Sequence, residues 1–242
     1  MKDVFQMTVE NNVFYAKRNI VDSIYKQARL EGISVTFPQT NELFEGRLVN
    51  NPDLSVHDVV AINNLKHGWR FVLETLDYPV DLRYVRQINS VVGNGIIREP
   101  GALRTSDVSM GGTTWKPVLP DLDAATSDIG DILARGSSDT ERALDMMLYL
   151  MRAQLFYDGN KRTATLVANQ MLIAKGRGLV TVPVERIAEF GEKLIRYYET
   201  GESGAVKGFL HEHCLDGTDR IRLAQSQEAA PKPQPSFPRM GM

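Results

Sequence analysis

The run Gln154-Leu155-Phe156-Tyr157-Asp158-Gly159-Asn160-Lys161-Arg162-Thr163-Ala164 gathers a carboxylate, side-chain amides, a glycine and adjacent cations in one short stretch. Residue types in this order suit an anion. Leu144, Met147, Leu148, Met151 and Leu155 stand at helical spacing before the run's centre, and Ala164, Val167, Ala168, Met171 and Leu172 after it. The spacing predicts helices over 141–157 and 161–175, joined by a tight Asp-Gly-Asn turn. Gly159 lets the chain turn with its amides unobstructed, and Asn160 can cap the second helix. The first N–H groups of that helix, together with Arg162, then face one point with positive potential. A phosphate fits such a point. An ordinary helix hairpin with a solvated Lys-Arg pair has the same letters, and that reading stays open.

The spacing resembles the motif of the Fic (Fido) family, His-x-Phe-x-Asp/Glu-Gly-Asn-Gly/Lys-Arg, whose members move AMP, or less often another phosphate-containing group, from a nucleotide to a protein hydroxyl. The resemblance implies roles position by position. Phe156 is the buried anchor, Asp158 the catalytic and magnesium-binding carboxylate, the stretch from Gly159 through Asn160 and Lys161 to Thr163 the nucleotide cradle, and Arg162 the phosphate clamp. Gln154 stands where the family has its catalytic histidine. Glutamine has no basic nitrogen near neutral pH, so the general base is missing, a loss of roughly a hundred- to ten-thousand-fold in rate. Thr165 stands where many members carry a second arginine, and Lys161 replaces a third glycine, as in the phosphotransferase branch typified by the Doc toxin.

Two further segments resemble parts of the same family. Gly101-Ala102-Leu103-Arg104 followed by Val108-Ser109-Met110-Gly111-Gly112-Thr113-Thr114-Trp115-Lys116-Pro117 has β-favouring pieces around Gly-Gly, which reads as a hairpin. By resemblance it is the family's flap, on which Val108, Met110, Gly111, Gly112, Thr113 and Trp115 would hold an extended target segment by strand addition. A two-stranded excursion over the core is the plainer reading. Upstream, a short helix is expected to start near Thr40 and stop at Gly46. It resembles the family's inhibitory helix, Ser/Thr-x-x-x-Glu-Gly/Asn, with Asn41, Glu45 and Gly46 in the regulatory positions. A solvated Glu45 at a helix end is the alternative.

The chain has 242 residues, 43% hydrophobic and 24% charged, with a net charge of −2, enough for one good core. The absence of a dense Lys/Arg run argues against a general nucleic-acid or membrane-surface binder. The single cysteine, Cys214, excludes an intramolecular disulfide and a Cys-rich zinc site, and fits a reducing cytoplasm. The N-terminal residues lack a secretion-signal layout, so a cytoplasmic protein is expected.

Further helices are expected over 13–30, 55–77, from Leu82 to Val92, over 121–135 and over 184–199. The hairpin is then almost the only strand. The fold class is all-α, a Fic-type helical core with a β-hairpin flap in a single unit over 1–222, followed by a proline-rich tail over 223–242. The Pro-Lys-Pro-Gln-Pro-Ser-Phe-Pro stretch of that tail reads as disordered or as a docking ligand. For function the residues leave two readings. One is a transferase that uses ATP and magnesium to modify a hydroxyl of a protein docked on the flap. The other is a non-catalytic nucleotide sensor or protein-binding module. Whether the chain forms a homo-oligomer is left open.

Overall fold

The computed structural model describes residues 1–221. The proline-rich stretch read above lies outside them. Among the described residues there are ten α-helices and one two-stranded sheet.

The chain enters through α1 (Val9–Arg18) and α2 (Ile20–Leu30), which the sequence pattern had joined into one helix. They part at Asn19, whose side-chain amide and backbone N–H both donate to the Tyr15 carbonyl, at 2.9 and 3.1 Å. Next, α3 (Phe37–Phe44) begins before the expected Thr40, because Thr36 and Gln39 form a reciprocal capping box and Pro38 suits the first turn. Ser55 and Asp58 cap α4 (Val56–Glu74) in the same way. Asp81 caps α5 (Leu82–Gly93), and Asp121 caps α6 (Leu122–Ala134).

The site is carried by α7 (Asp139–Ala153) and α8 (Asn160–Ala174). Helix α8 is the centre of the molecule: α1, α4, α5 and α7 all pack on it. Its polar residues are buried with the rest, including Thr163, Thr165, Asn169 and Gln170. Thr165 bonds back to the Lys161 carbonyl of its own helix, and the other three find partners on neighbouring segments. Asn169, for example, exchanges hydrogen bonds of 2.8 and 2.9 Å with the backbone of Val180 in β1 (Leu179–Val180). Beyond it, α9 (Ile187–Thr200) and α10 (Gly204–His213) lead to β2 (Leu215–Asp216), which pairs antiparallel with β1.

The all-α expectation holds, and the placement of the strands does not follow it. The sheet joins 179–180 to 215–216, and residues 101–119 form no strand. The Gly-Gly segment is a loop laid across the molecule and held from outside itself.

Candidate functional site

The helix preceding the loop ends at Gln154, which adopts a left-handed conformation (φ 46°) unusual for a residue with a side chain. Hydrogen bonds hold it there. The Gln154 amide donates to the Met151 carbonyl at 2.7 Å and accepts from Asn160 Nδ2 at 3.0 Å. Its backbone carbonyl accepts from Arg104 Nε at 2.6 Å. Asn160 in turn bridges the Phe156 carbonyl (2.9 Å) and accepts from the Phe156 N–H (3.1 Å), while the Phe156 ring is buried. Asn160 therefore braces the loop from within and is not the helix cap. That position falls to Gly159 (φ 75°), and no side chain caps the helix.

Behind the loop lies a residue that sequence reasoning passed over. Asn89 of α5, wholly buried, donates to the Asp158 carbonyl and to Thr163 Oγ1, both at 3.1 Å, and accepts from the Gly101 N–H at 2.8 Å. One amide thus joins the loop, α8 and the root of the Gly-Gly segment. Thr163, expected in the nucleotide cradle, is buried, its hydroxyl is engaged by Asn89, and it does not line the cavity described below. A lone asparagine on an amphipathic helix leaves no signal of such a role.

Arg104 is the second such residue, 1% exposed. Besides Gln154, its guanidinium donates to the carbonyls of Ser106 (3.0 Å), Pro117 (3.2 Å) and Val118. Both limbs of the Gly-Gly segment are thereby gathered onto one side chain, which replaces the hydrogen-bond ladder of a hairpin. Burial pulls the guanidinium below its ordinary value, opposed by Asp107. The segment's far side rests on α9. Trp115 stacks on Tyr198 with centroids 5.9 Å apart, Arg152 lies over the Trp115 ring at 4.8 Å, and Thr113 donates to Glu199 at 2.8 Å. A Cβ on Gly112 (φ 81°) would meet Ile195 at 2.8 Å, so glycine is required there. At the root, the Tyr157 hydroxyl accepts the Thr105 N–H at 3.1 Å, and hydrogen bonds from Thr105 lower the phenol from its ordinary value.

Between the loop, the Gly-Gly segment and α9 lies a cavity of about 360 Å³, within the size range of small-ligand sites. Val108, Met110, Gly111, Gln154, Asp158, Asn160 and Lys161 line it, as do Tyr157, Tyr198 and Glu31. Burial pushes the Tyr198 phenol up, which keeps it protonated beside Gln154. Of the other expected residues, Gly112, Thr113 and Trp115 pack against α9 outside the cavity wall. Arg162, 4% exposed, also lies behind the wall. Its Nη2 pairs with Asp158 at 3.0 Å, its Nη1 donates to the Val92 carbonyl at 3.3 Å, and its Nε faces a Glu31 oxygen at 3.5 Å without a hydrogen bond.

Glu31, and not Glu45, is the carboxylate that stands at this site. Sitting at the end of α2, it also approaches Lys161 Nζ at 3.7 Å, so its carboxylate occupies the cations at the start of α8. Glu45 ends α3 as an exposed residue, with Asn41 and Gly46 beside it, and none of the three lines the cavity. Glu-Gly occurs twice in the chain, at 31–32 and at 45–46. Both pairs end helices, and only the packing of α2 beside α8 distinguishes them.

The wall suits an anion. The amides of an uncapped, buried helix open beside Asn160 and Lys161, and Lys161 adds its cation to the wall. Asp158, whose side chain is 55% exposed, is the one carboxylate of the loop itself. No cluster of three metal-ligating side chains exists among the described residues. No helix of the described residues is long and apolar enough to cross a membrane.

Comparison with known proteins agrees with this geometry. The Fic/DOC family model matches residues 79–172. Protein adenylyltransferase fic-1 of Caenorhabditis elegans is 29% identical over 177 residues, and that of Caenorhabditis briggsae 27%. In both cases the match covers 69% of this chain and 34% of the relative, so the chain spans about a third of the length of the curated relatives it matches. Among solved structures, a Fic-domain-containing signaling protein of Bacteroides thetaiotaomicron superposes with a TM-score of 0.68 at 17% identity, covering 85% of each chain. Fic-1 of C. elegans gives 0.68 at 24% identity, over 81% of this chain and 60% of that one. Residues 79–172 thus match the Fic/DOC family, on a fold shared with Fic-domain structures.

Proposed function

We propose that this protein binds magnesium-ATP at the start of α8 and transfers AMP to a hydroxyl of a protein held against the Gly-Gly segment. The observation that carries the reading is the cavity itself. It brings Gln154, Asp158, Asn160 and Lys161 to the uncapped end of a buried helix, under a segment that leaves room for a second chain. The adenylyltransferase relatives support AMP over phosphoryl as the group moved.

Magnesium-ATP, when bound, supplies an electrophilic α-phosphorus and a pyrophosphate leaving group. The chain's own part is positioning and charge. Lys161 and the α8 amides would hold phosphate oxygens, and Asp158 would be the carboxylate that holds the metal. Arg162 keeps Asp158 oriented and adds positive potential from behind. The attacking hydroxyl forms the new O–P bond as the bond to pyrophosphate breaks, and its proton passes to Asp158 or to a phosphate oxygen. Gln154 cannot take that proton. Its amide hydrogen bonds hold the loop in shape, so it serves the reaction as a positioning residue, and transfer is slow relative to a site with a base. Glu31 opposes phosphate binding by standing at Lys161 and Arg162, so the site is self-restrained.

A non-catalytic nucleotide sensor is the second reading, favoured by the engagement of both ends of the Gln154 amide. ATP labelled at the α or the γ position separates them. Label retained on protein from the α position only is the expected result. Retention from γ would mean phosphoryl transfer, and retention from neither, with ATP bound, would mean a sensor.

A further inference from the structure

Behind the Gly-Gly segment, on the side away from the ATP cavity, runs a groove of about 340 Å³ that the proposed reaction does not use. Its floor is aromatic, from Trp115, Tyr149 and Tyr197, and its rim carries Asp121 and Asp128. Arg152 is the cation in its wall, and it is occupied by the Trp115 ring and the carbonyls of Tyr197 and Tyr198. The rim therefore presents net negative charge. Alongside, Val118 is 86% exposed, Leu119 49% and Leu122 53%, a cluster of aliphatic side chains in one short stretch. Exposed apolar groups gathered beside an aromatic groove mark a place where chain docks.

We infer that this groove binds the chain's own residues 231–239, Pro-Lys-Pro-Gln-Pro-Ser-Phe-Pro-Arg. Aromatic grooves take proline-rich segments because the rings pack on the pyrrolidine faces and the extended form costs little ordering entropy. Charge agrees, since Lys232 and Arg239 flank the prolines and meet the acidic rim. Reach agrees too. The Ile221 N–H donates to the Val4 carbonyl at 2.9 Å, and the neighbouring Asp3 accepts the Thr140 N–H at 2.9 Å, so the last described residue, Ile221, lies beside the start of α7. From there to Tyr149 along α7 is roughly 14 Å at the helical rise. The residues between 221 and 231 span up to about 30 Å when extended. Docking would cover the outer side of Trp115, Pro117 and Val118, whose inner contacts are Tyr198 and Arg104, and so would brace the target-holding segment.

The full chain with Met240→Cys, carrying a nitroxide spin label and isotope-labelled methyl groups, tests this directly. Cys214 does not compete, because it is buried and its thiol is pushed up to about 12 by that burial. The expected result is paramagnetic broadening concentrated on the methyls of Val118, Leu119 and Leu122, unchanged on dilution. Adding Lys232→Glu and Arg239→Glu should weaken it roughly two- to tenfold. Uniform broadening, or none, overturns the proposal. So does broadening seen only when spin-labelled and isotope-labelled chains are separate molecules, which would make the occupant a second copy.

Discussion

The loop of residues 154–162 and the Gly-Gly segment of residues 101–119 face each other across one cavity, yet they are held by opposite means. The loop is braced from inside: Asn160, Gln154 and Asp158 bond to backbone within a few residues of themselves. The segment is held by distant partners, with Arg104 gathering its limbs, Trp115 on α9 and Tyr157 at its root. Self-braced structure is rigid before a ligand arrives, as a phosphate cradle must be. Structure held at a few outside points can adjust its path to a target chain while its ends stay fixed.

The largest test of that contrast is at the joint between the two. Arg104→Met should destabilise the protein by about 3–5 kcal/mol, because it leaves buried carbonyls of both regions unpaired. Urea denaturation measures it, and a loss under 1 kcal/mol would mean the segment has other supports. Asn89→Leu comes next, at roughly 2–3 kcal/mol, since it strips the Asp158 carbonyl and the Gly101 N–H together. Amide exchange should then speed up in the loop as well as at Gly101, whereas a change confined to either would break the coupling described here.

Gln154→His asks whether the loop's rigidity tolerates a base. An imidazole can keep one of the two side-chain hydrogen bonds, and AMP transfer should rise by about ten- to a hundredfold with ATP binding little changed. An unchanged rate would assign Gln154 a purely structural place. The smallest effect is expected from Tyr157→Phe, which removes a latch at the segment's root. Exchange of the Thr105 amide should quicken by a few-fold, with no change inside the loop.

The same division explains what the sequence disclosed. The loop's place between two helices was legible because its spacing is short and local, while the roles given to Phe156, Asp158 and Lys161 came with the family resemblance and the capping expected of Asn160 did not hold. Helix starts at Ser55, Asp81 and Asp121 were legible for the same reason. Arg104 and Asn89 were not assigned roles, since their partners lie up to 50 and 74 residues away, and no periodic pattern encodes such pairs. The hairpin expectation failed on this ground: β-favouring letters around Gly-Gly promise a ladder, and one arginine took the carbonyls instead. Glu45 and Glu31 both precede a glycine at a helix end, and the letters alone do not show which end packs beside Lys161.

That choice bears on the central claim, that the start of α8 is a nucleotide site restrained by Glu31. Calorimetric titration of magnesium-ATP into the parent protein, Glu31→Gly and Glu45→Gly decides it. Removing a carboxylate at 3.5 and 3.7 Å from the cradle's cations should tighten binding by roughly tenfold in Glu31→Gly. Glu45→Gly should bind as the parent does. Tighter binding in Glu45→Gly, or no binding by any of the three, would contradict the account.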